Sequence, residues 1–172
     1  GGKVYSKESP LADGKIEIKY MTTKEEDILM SANLIKKGVV IDKLLDSLIV
    51  TKGVDQDTLI LGDKNAVLVA ARILAYGPEY TVEVTNPNNI EQKIEHTFDL
   101  TKCPFRELSG GIDYTDNSFD FETPIGKNNV KFRLLTGKEE KLIEKDLEQS
   151  RKVGYNSDIS TRLRYTITEV DG

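Results

Sequence analysis

Residues 15–20, Lys-Ile-Glu-Ile-Lys-Tyr, alternate charged and apolar side chains, the period of a half-buried strand. Directly behind them, Thr22-Thr23-Lys24-Glu25 has the T-x-x-E spacing of a capping box. There the Thr22 hydroxyl can accept the Glu25 N–H while the Glu25 carboxylate reaches back to the Thr22 N–H. Ile28, Ala32 and Ile35 then share one face of a helix predicted to run to about Lys37, with Leu29 and Leu34 beside that face. Lys36 and Lys37 fall where the helix dipole favours cations, and Gly38 stands at the C′ position. Ile41, Leu44, Leu45, Leu48 and Ile49 recur at i, i+3, i+4, i+7 and i+8, a second amphipathic helix with Asp42, Lys43 and Asp46 turned away. The opening motif returns late in the chain. Val130-Lys131-Phe132-Arg133-Leu134-Leu135 runs into Thr136-Gly137-Lys138-Glu139-Glu140. One strand–capping box–helix unit is thus used twice.

Between the two copies the pattern changes. Residues 51–56 read as a loop around Gly53. Leu59-Ile60-Leu61 leads to Gly62-Asp63, and Asp63 is placed to cap a helix from Lys64 to Tyr76. Ala66, Val67, Val69, Ala70, Ile73 and Leu74 make that helix apolar nearly all round, which assigns it to the centre of the domain. Gly77-Pro78 stops it. Residues 80–84 and 94–100 are strand-like and flank Asn86-Pro87-Asn88-Asn89, so a β-hairpin is expected. Residues 103–117 read as loop. Residues 119–123 and 130–135 form a second hairpin, and the second capping box starts a helix to about Lys152, closed by Gly154. A last short helix, capped by Asn156 or Ser157, would carry Ile159, Leu163 and Ile167. The sum is α+β, with five helices packed with antiparallel β-hairpins. One domain covers residues 1–172, divided into a helical part at about 22–77, a hairpin insertion at about 80–100 and a second strand–helix unit at about 118–170.

Composition narrows the function. The net charge is −5 and the pI about 5.1, the wrong sign for neutralising duplex phosphates. Trp is absent, and Tyr and Phe are scattered, so no base-stacking platform stands out. Cys103 is the lone cysteine, which excludes an intrachain disulfide and fits a reducing compartment. No apolar run approaches the ~18–20 residues a membrane span needs. The chain opens Gly1-Gly2 without Met and ends at Val170-Asp171-Gly172, so further segments are expected beyond both ends.

Candidate chemistry is sparse. Glu25-Glu26 and Glu139-Glu140 are paired carboxylates, but both pairs fall in first helical turns, where capping and the dipole favour acids. His96, the single histidine, shares a strand face with Ile94 and Phe98 and has no partner at metal-ligand spacing. Cys103 lies between Lys102 and Pro104 without a base to activate it, so it reads as a small buried hydrophobe. Asp113, Asp116, Asn117 and Asp120 form an oxygen-rich loop without the EF-hand spacing or its bidentate Glu. Leu61-Gly62-Asp63-Lys64 lacks the spacing of a phosphate loop. Nothing here marks an enzyme.

Three blocks carry a resemblance. They are Met21-Thr22-Thr23-Lys24-Glu25-Glu26-Asp27-Ile28-Leu29, Leu61-Gly62-Asp63-Lys64-Asn65 and Ala71-Arg72-Ile73-Leu74-Ala75-Tyr76-Gly77. With the hairpin after Tyr80, Asp99-Leu100 and the late block at 132–140, they run in the order found in the baseplate hub proteins of T-even-type contractile-tailed bacteriophages. The chain resembles that family from about Gly2 to Gly172. The resemblance implies a structural or assembly role in the tail baseplate, without catalysis or cofactor. It implies partners among other baseplate and tail proteins rather than nucleic acid or membrane. It places the protein in the virion tail, or in the host cytoplasm during assembly. Many family members carry a Cys-Pro-x-Cys knuckle in the hairpin, read as a zinc ribbon. Here Asn86-Pro87-Asn88-Asn89 keeps the turn without the thiolates, so no metal is implied. Members also continue past the point equivalent to Gly172. The alternative is a degenerate zinc-ribbon module that binds nucleic acid or a small ligand, against which the acidic charge and missing cysteines count. For a protein–protein role, residues 151–172 have few apolar positions to fix them, and weakly buried chain ends are mobile unless a partner holds them. Tyr155, Tyr165, Ile167 and Val170 are the expected partner-interface residues, with the two aromatics as anchors.

Overall fold

In the computed structural model, which describes residues 2–103 and 110–172, the capping box at Thr22 starts α1 (Thr23–Met30). The Glu25 carboxylate accepts the Thr22 N–H at 2.9 Å and the Thr22 hydroxyl at 2.6 Å. The expected single helix to Lys37 is two. Ser31 takes an extended conformation, ψ 102°, and its hydroxyl accepts the Leu34 N–H at the start of α2 (Ala32–Lys36). Serine competes with helical hydrogen bonding in this way, which makes it a cap rather than an interior residue. α3 (Val40–Leu48) follows, and the chain then returns along its own beginning. Ile18 bridges Ile49, with Lys19 N–H on the Leu48 carbonyl and Val50 N–H on the Glu17 carbonyl, both at 2.9 Å. That isolated bridge is all that forms of the strand expected at 15–20. The Thr51 hydroxyl takes the Glu17 N–H at 2.7 Å, so a side chain ends the ladder.

The second unit repeats this plan with more sheet. β3 (Phe119–Glu122) pairs antiparallel with β4 (Asn129–Phe132). The box at Thr136 closes on Glu139 and starts α5 (Gly137–Lys152). α6 (Asp158–Thr166) then delivers β5 (Ile167–Val170) back onto β4, antiparallel, giving the order β3-β4-β5. Ile167 therefore lies outside the last helix, against expectation. Its backbone is extended because it pairs with Phe132. Each unit is thus an outgoing extended segment, a capping box, helices, and a return that pairs with the outgoing segment.

α4 (Leu61–Tyr76) joins the units. It begins three residues earlier than expected, with Ile60 at the cap position, so Asp63 lies inside the first turn and does not cap. The Tyr5 hydroxyl does that work, accepting the Ile60 N–H at 3.0 Å and donating to Asp63 Oδ2 at 2.8 Å. Ile60 in turn bridges Thr136, with Leu61 N–H on the Leu135 carbonyl and Gly137 N–H on the Leu59 carbonyl.

The core centres on α3 rather than α4. Leu44, Leu45 and Leu48 are buried, and Leu44 and Leu48 cluster with Ala71 of α4 inside a shell of Ile18, Met21, Ile28, Leu29 and Leu68. On α4 Val67 and Ala71 are buried, while Leu74 and Tyr76 stay exposed. The narrow stripe of α3 is covered from several sides, whereas the broad apolar surface of α4 outgrows what packs on it. Leu45, Leu48, Leu59 and Ile143 have almost no exposed surface. Each contributes about 1.5–3 kcal/mol of apolar burial.

Candidate partner surface

The expected interface residues do not converge. Tyr155 is exposed just past α5. Ile159 and Leu163 of α6, one turn apart, are exposed as well. Tyr165 turns inward: its hydroxyl donates to Asp146 Oδ2 of α5 at 3.0 Å, and its carbonyl accepts Arg133 Nε at 3.1 Å. The bond to Asp146 raises the Tyr165 phenol above its ordinary value. Ile167 is half-buried beside Phe132, and Val170 is exposed opposite Val130 at the far end of β5. Val170 belongs to a second open patch. Phe119, Phe121, Val130 and Phe132 alternate onto one sheet face. Phe119 packs between Tyr114 and Phe132, with ring centroids 5.8 and 5.3 Å away, while Phe121 at the other end stays exposed.

A third surface is the ribbon of β1 (Glu79–Asn86) and β2 (Asn89–Asp99), a two-stranded antiparallel sheet. Directly opposed residues share a face. Tyr80↔Phe98, Val82↔His96 and Val84↔Ile94 make one face apolar. Glu79↔Asp99, Thr81↔Thr97, Glu83↔Glu95 and Thr85↔Lys93 make the other polar and acidic. His96 stands edge-on to Phe98, centroids 4.5 Å apart. Residues 91–98 of β2 are all exposed. The turn is held by side-chain amides, Asn86 Nδ2 on Gln92 Oε1 and the Asn88 N–H on Asn86 Oδ1, each at 2.9 Å. At the base, Arg72 of α4 donates to the Gly77 carbonyl at 3.1 Å and lies over the Tyr76 and Tyr80 rings.

The family described as T4 bacteriophage base plate protein matches residues 3–118, about two thirds of the chain. The chain belongs to that family. No curated protein and no solved structure matches it. The stretch shared with the base plate family takes in the first unit, α4 and the ribbon, and stops just before β3.

The titratable groups of this base plate family member serve its architecture. Glu25 has no exposed surface and accepts from Lys19 Nζ at 2.8 Å and Ser47 Oγ at 2.5 Å as well as from Thr22. Lys19, then Ser47 and Thr22, hold its carboxyl well below the usual range, so it stays ionised and offers no proton. Asp42 is pushed up by its partial burial and pulled further down by Lys64 at 2.7 Å and Lys141 at 3.0 Å. Lys141 also reaches Asp57, tying α5 to α3 and to the turn at Gln56–Thr58. Cys103 is exposed, not buried as its residue type suggested, because the short turn at Leu100–Lys102 ends beside solvent. Pro104 and the next five residues lie outside the described residues. In the oxygen-rich loop, Asp113 takes the Thr115 N–H and Asn117 exchanges two hydrogen bonds with the Leu134 backbone. Among the described residues no three His, Cys, Asp or Glu side chains are grouped as metal ligands, and no helix is long and apolar enough to cross a membrane.

Proposed function

We propose that this chain is a structural or assembly component of a phage tail baseplate hub and acts through protein–protein contacts. Membership of the base plate family carries the reading. Three sets of apolar residues that the fold leaves open support it: Ile159 and Leu163 of α6, the Phe121–Val170 patch and the ribbon. Its partners are other baseplate and tail proteins, and its place is the virion tail or the host cytoplasm while tails assemble. The interface is proposed to include Tyr155, Tyr165, Ile167 and Val170. Mass spectrometry of purified tails and of tail-assembly intermediates tests this. Recovery with baseplate proteins in either fraction supports the role, and absence from both rejects it. Tyr155→Ala removes an exposed ring alone and should reduce co-purification with tail proteins at unchanged melting temperature. Tyr165→Ala also removes the bond to Asp146, so its effect on assembly is read against its effect on stability.

A further inference from the structure

The ribbon has an internal conflict. Two of its directly opposed pairs, Glu79↔Asp99 and Glu83↔Glu95, set acid against acid on one face. Like charges in that position destabilise a strand pair. Lys93 reaches Glu83 at 3.6 Å and Lys102 reaches Asp99 at 3.4 Å, but Glu79 and Glu95 have no ion-pair partner among the described residues. The opposite face is apolar and open, and among the described residues neither long edge of the two-stranded sheet is paired with a further strand. A lone two-stranded ribbon is marginal in water. Exposed edges are templates for a further strand.

We infer that the free edge of β2 accepts a strand from another protein, and that this strand alternates apolar and basic residues. The alternation follows from the pleat. A third strand beside β2 puts every second residue next to Ile94, His96 and Phe98, and the others next to Lys93, Glu95, Thr97 and Asp99, where Lys93 is already drawn to Glu83. Apolar residues extend the first face, and Lys or Arg residues relieve the like-charge pairs on the second. β2 is the docking edge because residues 91–98 are exposed throughout, whereas Arg72 Nη2 already approaches the Glu79 carbonyl of β1 at 3.4 Å. A second copy of this chain is the wrong occupant. Pairing β2 with β2 would set one net-acidic face beside another, with two acids on each copy to a single lysine that already reaches Glu83.

The inference rests on the baseplate reading only in taking the natural partner to be a protein of the tail. The test uses the full chain and a labelled, end-blocked octapeptide alternating lysine and valine. Two controls are the same peptide with glutamate for lysine, and a peptide of four lysines followed by four valines. Fluorescence anisotropy at fixed salt should show saturable binding of the alternating peptide at least tenfold tighter than either control. Hydrogen exchange should slow at β2 amides. N-methylation of alternate peptide residues should abolish binding in one parity only, since a strand bonds its neighbour through every second residue. Glu95→Lys is the decisive variant. It converts an acid–acid pair into an opposite-charge pair, so ribbon amides should exchange more slowly while peptide affinity falls at least tenfold. Equal binding of the block peptide, protection centred elsewhere than β2, a concentration-dependent dimer of the chain through the ribbon, or unchanged affinity in Glu95→Lys overturns the proposal. A chain found in tails that fails the peptide test loses this inference alone. A chain that passes it but is absent from tails loses the baseplate role alone.

Discussion

Replacing Tyr5 with Phe isolates the contact that starts α4. The ring stays and one oxygen goes. That oxygen accepts the Ile60 N–H at 3.0 Å and donates to the Asp63 carboxylate at 2.8 Å. A bond to a charged group is worth about 1.5–3 kcal/mol and a neutral one about 0.5–1.5 kcal/mol. Asp63 is half-buried, so water takes over part of its share. The net loss should be about 1.5–3 kcal/mol, or a fall in Tm of roughly 4–10 °C at this chain length. Urea unfolding should show a lower midpoint at unchanged slope, and the Ile60 amide should exchange faster. The same contact has an alkaline signature. Burial pushes the Tyr5 phenol up, the Ile60 N–H opposes this and Asp63 adds to it, leaving the phenol well above its ordinary value. A raised phenol contributes stability that is fully present below about pH 10 and is lost as pH rises toward its folded value. Tyr165 is shifted the same way by Asp146, so the alkaline loss in Tyr5→Phe should shrink rather than vanish. A midpoint change under about 0.5 kcal/mol, with Ile60 exchange unaltered, would refute the assignment of Tyr5 as the cap.

Thr22→Ala and Thr136→Ala should each cost about 0.5–2 kcal/mol by thermal melts. The Thr136 change should be the larger, because Glu25 keeps Lys19 and Ser47 while Glu139 has only Arg133 at 3.7 Å beyond its own cap. Glu25→Gln should remove part of the acid sensitivity. The depressed carboxyl contributes stability above about pH 4.3 that is lost as pH falls, and an acid titration of wild type against variant reads the difference. Purified protein should carry no tightly bound zinc, since Asn86 and Asn88 are poor ligands for it, and elemental analysis near one zinc per chain would count decisively against this.

Local rules read well from the sequence and competition between elements did not. Both T-x-x-E boxes start helices, because the signal and its physical cause lie within four residues. The hairpin at Asn86-Pro87-Asn88-Asn89 was legible for the same reason, though its strands run longer than turn chemistry could say. Asp63 looked like a cap because capping residues are recognised by nearness in sequence, whereas Tyr5 acts across more than fifty positions. The centrality of α4 was misjudged because apolar content counts what a helix offers, not what its neighbours cover. Its exposed Leu74, with Ala66 and Ala70, instead lines an open apolar cavity of about 340 Å³ with Leu11, Ile16 and Ile18. β5 was hidden because Ile159, Leu163 and Ile167 hold helical spacing, and only pairing with β4 extends the last of them. Of the candidate surface, Tyr155 and Val170 were named from composition. The paired acids of the ribbon needed the register, which no single-strand pattern contains.

The two units meet at a seam beside the start of α4. The turn at Gln56–Thr58 and the Ile60 bridge lie in the stretch shared with the base plate family, and α5 lies beyond it. They meet backbone to backbone. A Cβ on Gly137 would stand 3.0 Å from the Asp57 Cα and 3.3 Å from the Asp57 and Gln56 carbonyl oxygens. A larger residue there would push the turn back by a few tenths of an ångström. The Lys141 bridge to Asp42 and Asp57 spans the same seam, but its side chain is nearly half exposed, and such pairs are weakened by solvent screening. Close packing therefore sets the approach of the units, and the ion pairs fix its register. Leu59 and Ile143, on opposite sides of the seam, have almost no exposed surface in the joined structure. Separating the units would leave the Ile60 bridge unpaired. We propose that the second unit folds together with the first across this seam.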